Sequence, residues 1–248
     1  DFSIHTVDGN VNFTFDGTLD TSVFASTQAL TITGNVNDDV LTGTANADTI
    51  SGGDGADDLT GAAEADTITA GEGADEVLSA GGDTIDLTES TSAADNVVFA
   101  AITSGSAAGA AAGTFSGFNV ITGFVTTVDD IVFDAGAAFN QDTVNTAVIG
   151  NAAGDSQVVL STAAATAAND LTMSNYTDVD TVVAFMNDGG YTDGNSGTAD
   201  VSSVAVTFTD FTAIYAVNND TTDAVIAAEL TLVATVDEVL VTGDIVIA

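Results

Sequence analysis

Five aspartates stand nine residues apart, at Asp39, Asp48, Asp57, Asp66 and Asp75. Two residues after each comes an aliphatic side chain: Leu41, Ile50, Leu59, Ile68 and Val77. Gly34, Gly43, Gly52 and Gly61 hold the same phase at the head of each unit. Three residue classes sharing one period define an internal repeat, and a unit this short cannot bury a core alone. It must stack on its neighbours. The glycine-rich part of each unit reads as a turn, and its single large aliphatic residue marks a short strand facing inward.

Charge narrows the reading further. The 248 residues hold 37 Asp plus Glu and no Lys or Arg, a formal charge of −37. An average chain of this length carries about 30 basic residues. Nucleic-acid binding is excluded, because phosphate neutralisation needs Lys or Arg, and so is direct attraction to an anionic membrane. A hydrophobic fraction of 45% separates the chain from disordered acidic sequences. Folding therefore requires something to offset the self-repulsion, and a divalent cation fits that need. Cysteine is absent, so neither disulfides nor thiolate chemistry contribute. No apolar run approaches the 18 or so residues of a membrane span. The start at Asp1 rather than Met is expected of a processed or excised product.

The unit is clearest in Gly52-Gly53-Asp54-Gly55-Ala56-Asp57-Asp58-Leu59-Thr60. It resembles the glycine- and aspartate-rich nonapeptide of calcium-binding parallel β-rolls, the repeats-in-toxin (RTX) family. The resemblance implies two nonamers per coil, so that each motif stacks on the next but one. Strands in a sheet lie about 4.7–4.9 Å apart. Stacked carboxylates at that spacing repel by about 3 kcal/mol at an effective dielectric of 20. Several Ca2+ ions between them would turn repulsion into attraction, and binding would then be folding energy. The expected pairs are Asp39 with Asp57, Asp48 with Asp66, Asp57 with Asp75, and Asp66 with Asp83. Carbonyls near Gly34, Gly43, Gly52, Gly53 and Gly61 are expected to complete the shells. Asn37 and Asn46 stand at the fourth, glycine position, where Asn is expected to take the left-handed conformation. Glu64 fits that position poorly, which makes the Asp66 sites the weakest. Asp83 comes eight residues after Asp75, so the roll is expected to end there with a distortion.

Outside the repeat, residues 1–33 alternate around Val11, Phe13, Phe15, Leu19, Val23, Leu30 and Ile32, as strands do. Residues 104–114 are small and low in complexity, and read as a loop. Strands are expected at Val120-Ile121, Ile131 to Phe133, Gln157 to Leu160, Val204 to Phe208, Leu230 to Val236 and Ile245 to Ile247. One helix is expected, capped by Asp178, with Val179, Val182, Val183 and Met186 on one face and a stop at Gly189-Gly190. The expected fold is all-β: N-terminal strands over 1–33, a calcium-stabilised roll over 34–90, and a β-rich assembly or secretion module with one short helix over 91–248. The stretch Val120 to Phe124 followed by Asp129 to Phe133 resembles the segment after the roll in type I secreted proteases and surface-layer proteins. The ending Gly243 to Ala248 is similar to type I secretion tails.

No catalytic set emerges. His5 is the sole histidine, no HExxH or GxSxG occurs, and Trp is absent. Residues 188–200 and 218–223 cluster oxygen ligands without EF-hand spacing. The expected function is a secreted, extracellular, calcium-binding structural protein that assembles with itself into a surface layer or filament. Its partners would be copies of itself and a cell-surface glycan bridged by calcium. A folding and secretion module of a larger exoprotein and a calcium-dependent adhesin are the alternatives.

Overall fold

The computed structural model describes residues 11–14, 18–19, 29–100, 106–107, 115–134, 157–161, 171, 174–188, 200–219, 225–241 and 243–247. His5, most of the 104–114 segment, and the oxygen-rich stretches at 189–199 and 220–223 lie outside them.

The chain order is β1 (Val11–Thr14), β2 (Thr18–Leu19), β3 (Leu30–Thr33), β4 (Val40–Thr42), β5 (Thr49–Asp54), β6 (Asp58–Thr60), β7 (Thr67–Glu72), β8 (Glu76–Ser79) and β9 (Thr84–Asp86). Then come β10 (Asn96–Phe99), β11 (Ser106–Ala107), β12 (Asn119–Thr122), β13 (Asp130–Phe133), β14 (Gln157–Ser161) and α1 (Val179–Asp188). The last strands are β15 (Asp200–Thr207), β16 (Thr212–Asn219), β17 (Leu230–Val236) and β18 (Ile245–Ile247). Among the described residues they form two sheets. One runs β1-β3-β5-β7-β9-β12-β17-β16-β15-β14, and the other β18-β13-β10-β8-β6-β4-β2.

Alternate units enter alternate sheets, in parallel, so a coil is two nonamers. Each short strand places one aliphatic side chain inside, and strand register aligns these into two columns. One column is Leu41, Leu59, Val77, Val97, Ile131 and Ile245. The other is Ile32, Ile50, Ile68, Ile85, Ile121 and Val236. All twelve are buried. Removing such surface from water stabilises by about 25 cal/mol per Å2, and these columns are what hold the coils together.

The Ile32 column passes residue 33 without a break, because β3 pairs with β5, and both columns pass residue 90, through β8 with β10 and β9 with β12. The roll does not end at Asp83. The missing residue is taken out of the turn before β9, which still aligns Ile85 with Ile68 and then with Ile121.

The repeat sheet then changes character. β17 pairs in parallel with β12 and antiparallel with β16, and β15 follows antiparallel. This part is buried on both faces. Ala205, Ile214, Ala216 and Val233 join the roll core, whereas Val204, Val206, Tyr215 and Leu232 meet a second core under α1. The helix starts as its sequence dictates: Thr181 N–H donates to the Asp178 carboxylate at 2.9 Å, and Val179, Val182 and Met186 are buried. β10 and β16 were not expected as strands. β11 places Ser106 and Ala107, inside the expected loop, beside β17.

Candidate metal centre

Each repeat aspartate immediately precedes its strand or stands one residue before it, and there it is buried rather than exposed. Asp39, Asp48, Asp57, Asp66, Asp75 and Asp83 are at most 3% exposed. Their carboxylates form a ladder along each sheet. Asp39 N–H donates to Asp57 Oδ1 at 2.8 Å and Asp57 N–H to Asp75 Oδ1 at 2.8 Å. In the other sheet Asp48 N–H donates to Asp66 Oδ1 at 2.7 Å and Asp66 N–H to Asp83 Oδ1 at 2.9 Å. The four expected pairs are therefore brought together, but a backbone amide links each pair through one oxygen. That oxygen has one lone pair committed, so the Oδ2 atoms left without a donor are the freer ligands for a cation between coils.

The ladder outruns the repeat. Asp75 N–H donates to Asp95 Oδ1 at 2.9 Å, and Asp95 N–H to Asp129 Oδ1 at 3.1 Å. On the other row Asp83 N–H donates to Asn119 Oδ1 at 2.8 Å. Asn119 then uses its amide group to donate to the Val233 carbonyl at 2.9 Å, which an aspartate cannot do. Asn119 thus joins the ladder to the C-terminal strands. Asp95, Asp129 and Asn119 escaped the nine-residue count, yet each precedes a column residue by two, as the repeat aspartates do: Val97, Ile131 and Ile121.

The second oxygen divides the rungs into two kinds. At one kind the turn closes on itself. Asn35 N–H donates to Asp39 Oδ2 at 2.8 Å, Ser79 Oγ to Asp83 Oδ2 at 2.6 Å, and Val125 N–H to Asp129 Oδ2 at 2.7 Å. Thr44 supplies both its N–H and its hydroxyl to Asp48 Oδ2. At the other kind Oδ2 is buried without a donor, and these atoms belong to Asp57, Asp66, Asp75 and Asp95. A buried oxygen left unpaired is costly. Desolvation accordingly raises these carboxyls, to about 7 for Asp66 and Asp95 and about 6 for Asp75, with the amide bonds opposing and neighbouring carboxylates adding to the rise. Asp57 is raised for the same reasons.

The glycines serve two separate purposes. Gly34, Gly43, Gly52 and Gly61 are not in the left-handed region. A Cβ would collide with the Oδ2 of the aspartate five residues on, at 2.6 Å for Gly34 and Asp39 and 2.8 Å for Gly43 and Asp48. Gly53 has φ +116° and packs its Cα against the Asn35 backbone one coil before. Asn37 and Asn46 do not take the left-handed conformation expected of them; their side chains donate instead to Asn35 Oδ1 at 2.7 Å and Thr44 Oγ1 at 3.0 Å. Glu64 does carry the expected misfit, at φ +68°, and Ala62 beside it at φ +81°.

The donor set consists of buried carboxylate oxygens beside backbone carbonyls, which suits a hard cation of calcium size. Gly61 O lies against Gly43 and Ala70 O against Gly52, close to Asp48 Oδ2 and Asp57 Oδ2 respectively. Among the described residues no three acidic or histidine side chains converge on one point. Any ion here completes its shell with carbonyls and water.

A parallel roll whose turns are held by stacked, buried aspartates defines a class of repeat protein. Within it, residues 33–67 and 51–85 match the model of the RTX calcium-binding nonapeptide repeat, in blocks of four copies. The matched segment is about a fifth of the chain, and its parallel roll is consistent with the RTX-type calcium-binding β-roll that this family model describes. No curated protein matches the chain. Among the described residues no helix is long and apolar enough to cross a membrane.

Proposed function

We propose that this chain is a secreted, calcium-loaded and non-catalytic structural protein that assembles with copies of itself into an extracellular surface layer or filament. The observation that carries this reading is the set of buried, donorless Oδ2 atoms on Asp57, Asp66 and Asp75 in a chain without Lys or Arg. The neutralising charge must come from solution. Bound there, calcium supplies two positive charges and accepts carbonyl as well as carboxylate oxygens. Asp57, Asp66 and Asp75, with carbonyls around Gly52, Gly53 and Gly61, are the ligands we assign. Asp39, Asp48 and Asp83, near Gly34 and Gly43, hold their turns through protein donors. Extracellular calcium modules bind at about 10⁻⁴–10⁻³ M, a range that suits a protein folding after export.

Negative-stain microscopy and far-UV circular dichroism, with calcium and with chelator, test this reading. Ordered arrays and full β signal only with calcium are expected. An unchanged dichroism spectrum after chelation overturns the calcium role. Monomers throughout, with calcium-dependent folding intact, favour the second reading of a folding module within a larger exoprotein. That reading draws on RTX repeats being typical of secreted proteins. A calcium-bridged surface glycan remains the external partner we assign.

A further inference from the structure

We infer that the turn over residues 89–95, beyond the segment that matches the repeat, is an additional calcium site built by Glu89 and Asp95 against the turn of Asp75. The inference rests on the calcium reading above. Asp95 extends the ladder by one rung, is 1% exposed, and keeps Oδ2 without a donor. In the self-closed turns at Asp39, Asp48, Asp83 and Asp129, the residue four before the aspartate donates to Oδ2. In this turn that residue is Thr91, and no such bond forms at Asp95 Oδ2. Glu89 occupies the turn instead. One carboxylate oxygen accepts from Ala93 N–H, and the other accepts from Gly73 N–H at 3.2 Å on the preceding coil. Ser90 N–H donates to Glu72 Oε1 at 2.7 Å and ties the same two coils.

Glu89 thus stands between the turn of Asp75 and the turn of Asp95, both of which present an unpaired buried oxygen. Its charge bears on Asp75, Asp95 and Asp129 alike. Nothing in the sequence resembles the glycine-rich consensus here. The residues are Glu89-Ser90-Thr91-Ser92-Ala93-Ala94-Asp95. Two carboxylates, carbonyls and water make a hard oxygen shell suited to calcium rather than to a transition metal.

The test compares the intact chain with Glu89→Gln and Asp95→Asn, using native mass spectrometry for calcium stoichiometry and calorimetric titration with calcium chloride for affinity. Glu89→Gln keeps an acceptor oxygen for one amide while removing the charge, so it decides the matter even where Asp95→Asn fails to fold. Each folded variant is expected to lose one calcium per chain, or to bind its last calcium at least tenfold more weakly, with the β signal retained at saturating calcium. Equal stoichiometry and affinity in Glu89→Gln overturns this site alone. No calcium bound by the unaltered chain overturns the calcium reading as a whole.

Discussion

A carboxylate has two oxygens, and in this roll they have different tasks. Oδ1 of each rung is committed to an amide, so the environment of Oδ2 decides what a substitution does. Asp57→Asn keeps the acceptor for Asp39 N–H and removes a buried charge that has no protein partner. We expect calcium affinity to fall at least tenfold while the metal-free melting temperature holds or rises. Asp48→Asn does the opposite. Both Asp48 oxygens accept amide hydrogens, from Leu30 and Thr44, so either orientation of the asparagine sets its NH2 against a donor. Metal-free stability should fall by about 1–3 kcal/mol, with the smaller loss of calcium affinity. Calcium titrations and thermal melts of both variants check the order, and a greater affinity loss in Asp48→Asn contradicts the assignment. At Glu64 the backbone itself is the issue. A side chain at φ +68° costs about 1–2 kcal/mol, and glycine's freedom in the unfolded chain returns about 0.4–1 kcal/mol of that, so Glu64→Gly should stabilise by about 0.5–1 kcal/mol. A lower melting temperature in that variant contradicts the strain argument.

At the scale of the strand and its turn, the ladder sets how the roll answers to pH. Asp66 and Asp95 titrate at about 7 and Asp75 at about 6 in the fold, against about 3.9 in an unfolded chain. Between those values the folded state holds more protons. Metal-free stability is therefore full below about pH 4 and is lost as pH rises toward 7. With saturating calcium the trend should reverse, since the ion binds the deprotonated form and protons compete with it. Melts of metal-free protein at pH 5 and 7.5 that coincide would contradict the burial of these charges. The repeat strands were legible because Asp, one residue, then an aliphatic recurs at constant spacing. Asp95-x-Val97, Asn119-x-Ile121 and Asp129-x-Ile131 obey the same local rule, but turns of unequal length between them hide the period. The self-closed turns were hidden for a different reason. Whether Thr44 or Asn35 donates to its aspartate depends on turn geometry, which residue spacing does not encode. β16 was missed because Thr212 to Val217 is buried along both faces, and the alternation that marks a half-exposed strand is lost.

Across the whole molecule, the absence of Lys and Arg removes side-chain salt bridges of the ordinary kind from any contact between copies. Association in the proposed layer or filament falls to divalent ions and to strand pairing at sheet edges. Sodium chloride at constant calcium should leave assemblies intact, because screening weakens repulsion between like-charged copies, whereas chelation should dissolve them. Sedimentation under both conditions checks this, and disassembly by moderate sodium chloride contradicts it. The ladder also has a direction. In every rung the amide belongs to the earlier residue and the accepting oxygen to the later one, as in Asp39 to Asp57, Asp57 to Asp75 and Asp75 to Asp95. The aspartate amide of each coil is therefore satisfied by the coil after it, while strand amides such as Asp58 N–H reach back to the Asp39 carbonyl of the coil before. Each row of aspartate amides stays open at its leading end until the next coil is laid down, and so closes backwards along the chain, like a fastener drawn from its far end.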